Sequence, residues 1–151
     1  MSGSRYERGF VRMFSTGEWW AQRAAASGSA TDADLPDVTF AHDGIGFAGE
    51  LKTTSRPTAY VDADEVRALQ RYAAAYGMRA CLLGRWKGER AYYIWNPNDV
   101  ERTDGGNYRL NPQDGTHAAI VVEPGAAFAG RRPEDWTGAM LADALAGGDR
   151  P

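Results

Sequence analysis

The chain reads as one α/β domain, a mixed central β-sheet flanked by α-helices in the order α-β-β-β-α-β-β. Three observations predict it. Apolar residues recur with helical period near the N-terminus and again beyond residue 62, and strand-like runs lie between and after these stretches. Asp43-Gly44 separates two such runs, the signal of a tight hairpin. With 151 residues, five Trp and seven Tyr, the chain has the size and aromatic content of one packed core. Helices interleaved with strands cover the faces of a sheet.

Ser4 to Phe14 is the first helix, with Ser4 as cap and Glu7 at the capping-box position. Glu7, Phe10, Val11 and Phe14 fall on one stripe that should face the sheet. Arg5, Arg8 and Arg12 fall on the other face. Trp19 to Ala24 is a strand, and Ala25 to Pro36 a small, polar loop. Asp37 to His42 and Phe47 to Lys52 form a hairpin across Asp43-Gly44-Ile45-Gly46. Thr53 to Tyr60 is a loop containing Arg56-Pro57. A second helix opens at Asp62 with acids in its first turn, carries the stripe Val66, Leu69, Tyr72, Ala73 and Tyr76, and stops at Gly77. Arg79 to Trp86 and Ala91 to Trp95 form a second hairpin across Lys87-Gly88-Glu89-Arg90. Asn96-Pro97-Asn98 ends the core. Residues 1–100 are thus set apart from an extension, 101–151, packed on the same domain. The extension holds a turn-rich stretch at Thr103 to Asn107, a strand from His117 to Val122 and a helix from Pro133.

Composition excludes several classes. There is no apolar run of membrane-spanning length and no signal-peptide pattern, so a cytoplasmic protein without membrane partners is expected. The one cysteine, Cys81, sits in an apolar run and excludes a disulfide framework or a cysteine zinc site. His42 and His117 lack ligand spacing, so an oxygen-ligated ion such as Mg²⁺ fits better than a histidine-bound metal. A net charge of −3 speaks mildly against nucleic acid. The basic residues are nearly all Arg, however, and the acids concentrate elsewhere along the chain.

The chemistry gathers at Pro36-Asp37 and Glu50-Leu51-Lys52. Side chains alternate along a strand, so Glu50 and Lys52 share one face while Leu51 points to the core. Asp37 can meet Glu50 across the hairpin. Two carboxylates and a lysine can hold a divalent ion and a water against a phosphodiester. This layout resembles the PD-(D/E)xK metal nucleases and their restriction-endonuclease-like fold. Asp37, Glu50 and the Leu51 carbonyl would hold the ion. Lys52 would orient water or stabilise the transition state.

The surrounding residues admit two readings each. Glu7 is a cap bonded back to Ser4, or a third carboxylate of the site. Arg5 and Arg8 belong to a solvated basic face or a phosphate-tracking ridge. Ser27 and Ser29 are loop serines or site residues, and Arg23 binds phosphate or pairs with Asp34. Thr53, Thr54, Ser55 and the neighbouring Arg56 serve turn chemistry or phosphate contact. Tyr72 and Tyr76 pack in the core or reach a partner subunit.

The order Gly3, Glu7-Arg8, Arg23-Ala-Ala-Ala-Ser27-Gly28-Ser29, Leu35-Pro36-Asp37, Glu50-Leu-Lys52-Thr-Thr-Ser55 and Tyr60 resembles the archaeal-type Holliday-junction resolvases from about Gly3 to Pro97. The loop Ala26-Ser27-Gly28-Ser29 before Pro-Asp is the most specific part. The resemblance implies a homodimer that binds a four-way DNA junction and nicks two opposed strands with Mg²⁺, for which Mn²⁺ can substitute. It implies that Glu7, Asp37 and Glu50 are the acidic site residues, Lys52 the catalytic lysine and Ser27 an assisting serine. It places Arg23 at the junction-binding surface. Two features depart from the family: Ser2 stands where a lysine is common, and the pI of about 5.4 is low for a usually basic group. The extension around Thr103 to Leu110 is similar to that of some members from salt-loving archaea.

Overall fold

A computed structural model describes residues 3–24, 35–113, 118, 120–122 and 135–147. The elements run α1 (Gly3–Met13), β1 (Trp19–Arg23), β2 (Val38–His42), β3 (Ile45–Thr54), β4 (Ala59–Val61), α2 (Ala63–Tyr76), β5 (Arg79–Trp86), β6 (Tyr92–Trp95), β7 (Tyr108–Leu110), β8 (Ile120–Val122) and α3 (Gly138–Leu145). Six strands form the main sheet in the order β1-β2-β3-β5-β6-β8. It is mixed: β3 and β5 run parallel, joined through α2, and the other neighbours are antiparallel.

Period-two patterning decides which side of the sheet each residue serves. Phe47 and Leu51 of β3, with Cys81 and Leu83 of β5, pack with Phe10 and Phe14 of α1 and Leu141 and Leu145 of α3. Ala48 of β3, with Leu82 and Trp86 of β5, packs with Val66, Leu69 and Ala73 of α2. The sheet therefore has α1 and α3 on one face and α2 on the other. Cys81 is fully buried, and burial pushes its thiol pKa up.

The first hairpin closes more tightly than expected. His42 pairs with Ile45, leaving Asp43 and Gly44 as a two-residue turn with φ of 50° and 79°. Two left-handed residues suffice for this turn, so Ile45 and Gly46 join the return strand. At the other end β3 continues to Thr54, because β5 pairs with it all the way to Trp86. The segment Thr53 to Tyr60 is thus not all loop. Its end forms β4, which pairs with β7 in a separate two-stranded sheet. That sheet covers the α2-side core through Ala59, Val61, Tyr108 and Leu110.

Helix ends follow local chemistry. Asp62 caps α2, Glu65 accepts from the Asp62 amide at 3.3 Å, and Gly77 (φ 67°) ends the helix. α1 starts at Gly3, so Ser4 lies inside the first turn rather than before it. α3 starts at Gly138 behind Thr137, whose hydroxyl accepts from the Met140 amide. β8 adds the strand beyond β6, the Trp19 indole donates to the Trp136 carbonyl at 2.7 Å, and the Gly138 amide donates to His42 Nδ1 at 3.0 Å. His117 lies outside the described residues.

Candidate active site

Val38 pairs with Gly49, so Asp37 and Glu50 are the next residues along β2 and β3. Val38 and Leu51 face α1, and alternation turns Asp37, Glu50 and Lys52 toward α2. The Leu51 amide donates to Asp37 Oδ2 at 2.7 Å. That bond fixes the aspartate against the strand and leaves the Leu51 carbonyl as a further oxygen donor. Lys52 Nζ lies 3.9 Å from Glu50 Oε2. Leu35, Pro36, Glu50, Glu65, Ala68 and Leu69 line a cavity of about 160 Å³ beside these groups.

The electrostatics are those of acids short of positive charge. Burial raises the pKa of Asp37; the Leu51 hydrogen bond works against this and the charge of Glu7 adds to it. Glu50 is pushed up to about 9, by burial first and then by the charge of Asp37, against a smaller pull from Lys52. Lys52 is raised: burial opposes its charge, but the hydrogen bond and charge of Glu65 prevail. Glu65 is lowered, since Lys52 outweighs the cost of its burial.

Glu7 stands on the other side of the sheet end. Its Oε1 accepts from Arg23 Nε at 3.1 Å, and Arg23 also donates to Ser4 Oγ at 3.1 Å. Arg23 therefore joins Glu7 and Ser4. Asp34, its other expected partner, lies outside the described residues, as do Ser27 and Ser29. Among the described residues no three His, Cys, Asp or Glu side chains converge as a metal cluster. Among the described residues, the oxygens on offer at the Asp37–Glu50 corner include these two carboxylates and the main chain.

The family model for archaeal Holliday junction resolvases (Hjc) matches residues 1–126. The chain belongs to this family. It is accordingly a junction-resolving endonuclease of a family that uses a divalent metal. No curated protein sequence matches it. Among solved structures it is similar to Archaeoglobus fulgidus Hjc, a Holliday junction resolvase from an archaeal hyperthermophile. The TM-score is 0.66 at 23% identity, over 76% of this chain and 91% of that chain. The restriction-endonuclease-like fold expected from the motif order is the fold observed.

A divalent ion fits the Asp37–Glu50 corner on chemical grounds. The donors are hard oxygens, they are partly desolvated, and Glu50 holds a proton at neutral pH that a cation can displace. The other expected site residues lie on separate elements. Arg5, Arg8 and Arg12 are exposed on the outer face of α1. Arg56 is exposed just past β3, its amide bonded to Thr54 Oγ1. The rings of Tyr72 and Tyr76 pack at 4.7 Å on α2, tilted by 34°, with Tyr76 67% exposed. Trp20, 80% exposed on the edge strand β1, was not singled out by sequence, since alternating Trp19 and Trp20 look alike until one is buried. Glu65 was not singled out either. Its capping-box position explains it locally, and nothing in the sequence brings it to Lys52.

Proposed function

We propose that the chain nicks two opposed strands of a four-way DNA junction as a homodimer, by hydrolysis that depends on Mg²⁺ with Mn²⁺ as substitute. The observation that carries this reading is the pairing of half-buried Asp37 and Glu50 beside Lys52 at one end of β2 and β3. Asp37, Glu50 and the Leu51 carbonyl would hold the ion. When bound, the ion supplies a Lewis acid that activates water and offsets charge on the scissile phosphate. Lys52 donates to the attacking water or to a phosphate oxygen, where an ammonium stabilises developing charge. Glu7 tunes the corner from across the sheet end through its charge on Asp37, and it joins the acidic set when Arg23 turns to phosphate. Ser27 assists catalysis.

Binding is to phosphates and shape rather than to base sequence. Arg5 and Arg8 on α1, Arg23, Arg56 and Ser29 track the backbone. Tyr72 and Tyr76 form part of the contact between two copies, and a two-fold axis presents two sites to two symmetric strands. Nicking of a labelled four-way junction is compared with that of a linear duplex of the same arms, with Mg²⁺, across a salt series. Selective, paired nicking of the junction is expected. Equal cleavage of the duplex overturns the assignment of substrate. Junction binding without cleavage by Mg²⁺ or Mn²⁺ under any salt condition overturns the assignment of activity.

A further inference from the structure

Lys52 has two carboxylates within reach, and the nearer is not in the motif. Its Nζ is 3.0 Å from Glu65 Oε2 and 3.9 Å from Glu50 Oε2. Glu65 belongs to the first turn of α2 and lines the same cavity as Glu50, against whose carboxyl it lies. Its second oxygen, Oε1, accepts from the Asp62 amide at the helix cap. Both carboxylate oxygens are thus engaged, one by the backbone of the cap and one by the lysine. A carboxylate bonded at both oxygens has little rotamer freedom left, so it can hold a long, flexible lysine to one place. Lys52 and Glu65 have side chains 29% and 34% exposed, so the pair is partly shielded from solvent.

We propose that Glu65 is a positioning residue for the reaction: clamped by the α2 cap, it holds the Lys52 ammonium at the mouth of the Asp37–Glu50 corner. This rests on the reading of Lys52 as the catalytic lysine. α2 is also the crossover between the parallel strands β3 and β5. The cap of that crossover therefore ties helix placement to lysine placement. Without the tie the ammonium samples many rotamers and reaches the scissile phosphate in only a fraction of them. Removing Glu65 slows the chemical step and leaves junction affinity in place.

The sequence supplies a direct probe of the clamp, because Lys52 and Lys87 are its two lysines. Lysine side chains are reductively methylated with formaldehyde and a borohydride in the metal-free protein, and the extent at each is read by mass spectrometry. Lys52 is expected to react slowly in the parent, severalfold faster in E65A and at an intermediate rate in E65Q, whose amide oxygen still accepts. Lys87 serves as the control for an intact fold and should keep one rate throughout. In single-turnover nicking of a four-way junction with Mg²⁺, E65A is expected to fall by at least about tenfold, as a misplaced catalytic group does, with junction Kd unchanged and E65Q between the two.

The outcomes separate the two readings. Equal Lys52 methylation in parent, E65Q and E65A overturns the clamp whatever the activity. Faster Lys52 methylation with nicking at or above the parental rate overturns the role in catalysis and makes Glu65 a structural cap. Unimpaired nicking by K52A overturns the underlying reading of Lys52, and the proposal with it. Should E65A fail to fold, E65Q against the parent decides both questions.

Discussion

The same end of the sheet carries two acid–base pairs, one on each face, and they are balanced differently. On the α1 face Glu7 has a guanidinium 3.1 Å away, and Ser4 helps hold that Arg23 in place. On the α2 face Glu50 lies beside Asp37, and its nearest described cation, Lys52, is 3.9 Å away and closer to Glu65. The first pair is neutralised within the protein. The second leaves negative charge in a partly desolvated corner, and the corner answers by keeping a proton on Glu50 up to about pH 9. An acid pair short of a cation is a place for one, whereas an acid already paired contributes through its field.

The contrast is broken most sharply by removing the corner. Asp37→Ala or Glu50→Ala should lower nicking of a four-way junction by at least about a hundredfold, comparable to loss of a key electrostatic group, while gel-shift affinity for the junction persists. Parental nicking by either variant would sink the site assignment.

The proton on Glu50 gives the next largest effect. Its pKa is about 9 in the folded protein against an ordinary 4.5, so folding favours the protonated form. Its contribution to stability is complete below about pH 4.5 and is lost progressively as pH rises to about 9. Asp37 is shifted in the same direction. The melting temperature in EDTA should therefore drop between pH 5 and pH 9 relative to Glu50→Gln. Added Mg²⁺ should stabilise more at pH 9 than at pH 5, because the ion competes with the proton. Identical Mg²⁺ stabilisation at both pH values would contradict this account.

A smaller change makes the two faces alike. Arg23→Ala strips Glu7 of its cation and should cost about 1 kcal/mol in urea unfolding, the upper range for partly exposed pairs. Much of that loss should be recovered in the double variant with Glu7→Gln. Independent, additive losses in the two variants would mean the pair has no coupling. The smallest effect lies farthest from the corner. Arg5→Ala with Arg8→Ala should flatten the salt dependence of junction binding, by a slope of about 1 for each phosphate left without its arginine, and leave the single-turnover rate at saturation alone. An unchanged salt slope would show that this face of α1 is simply solvated.

Much of this was legible in the chain. Period-two runs and Asp43-Gly44 gave the hairpin, Asp62 and Gly77 bounded the second helix, and the strand Arg79–Trp86 has the bounds its run of residues implies. Such features depend on a residue and its near neighbours. The pairing of β4 with β7 was not legible, because Ala59 and Leu110 are brought together only by the folded chain between them. The short strand Ala59–Val61 has no pattern of its own long enough to separate it from a loop.

The sequence by itself determined that Glu50 and Lys52 share a face, because strand alternation is a property of the backbone, and that a tight hairpin can bring Asp37 to Glu50. It also determined, through the order and spacing of its motifs, the family to which the chain is similar. Only the tertiary structure decided how the charges pair. Arg23 meets Glu7 and Ser4 because β1 lies against α1. Lys52 meets Glu65 because α2 crosses the sheet with its first turn above β3. Charge pairing depends on a few ångströms between elements distant in sequence, and packing of the core on both faces of the sheet sets those distances.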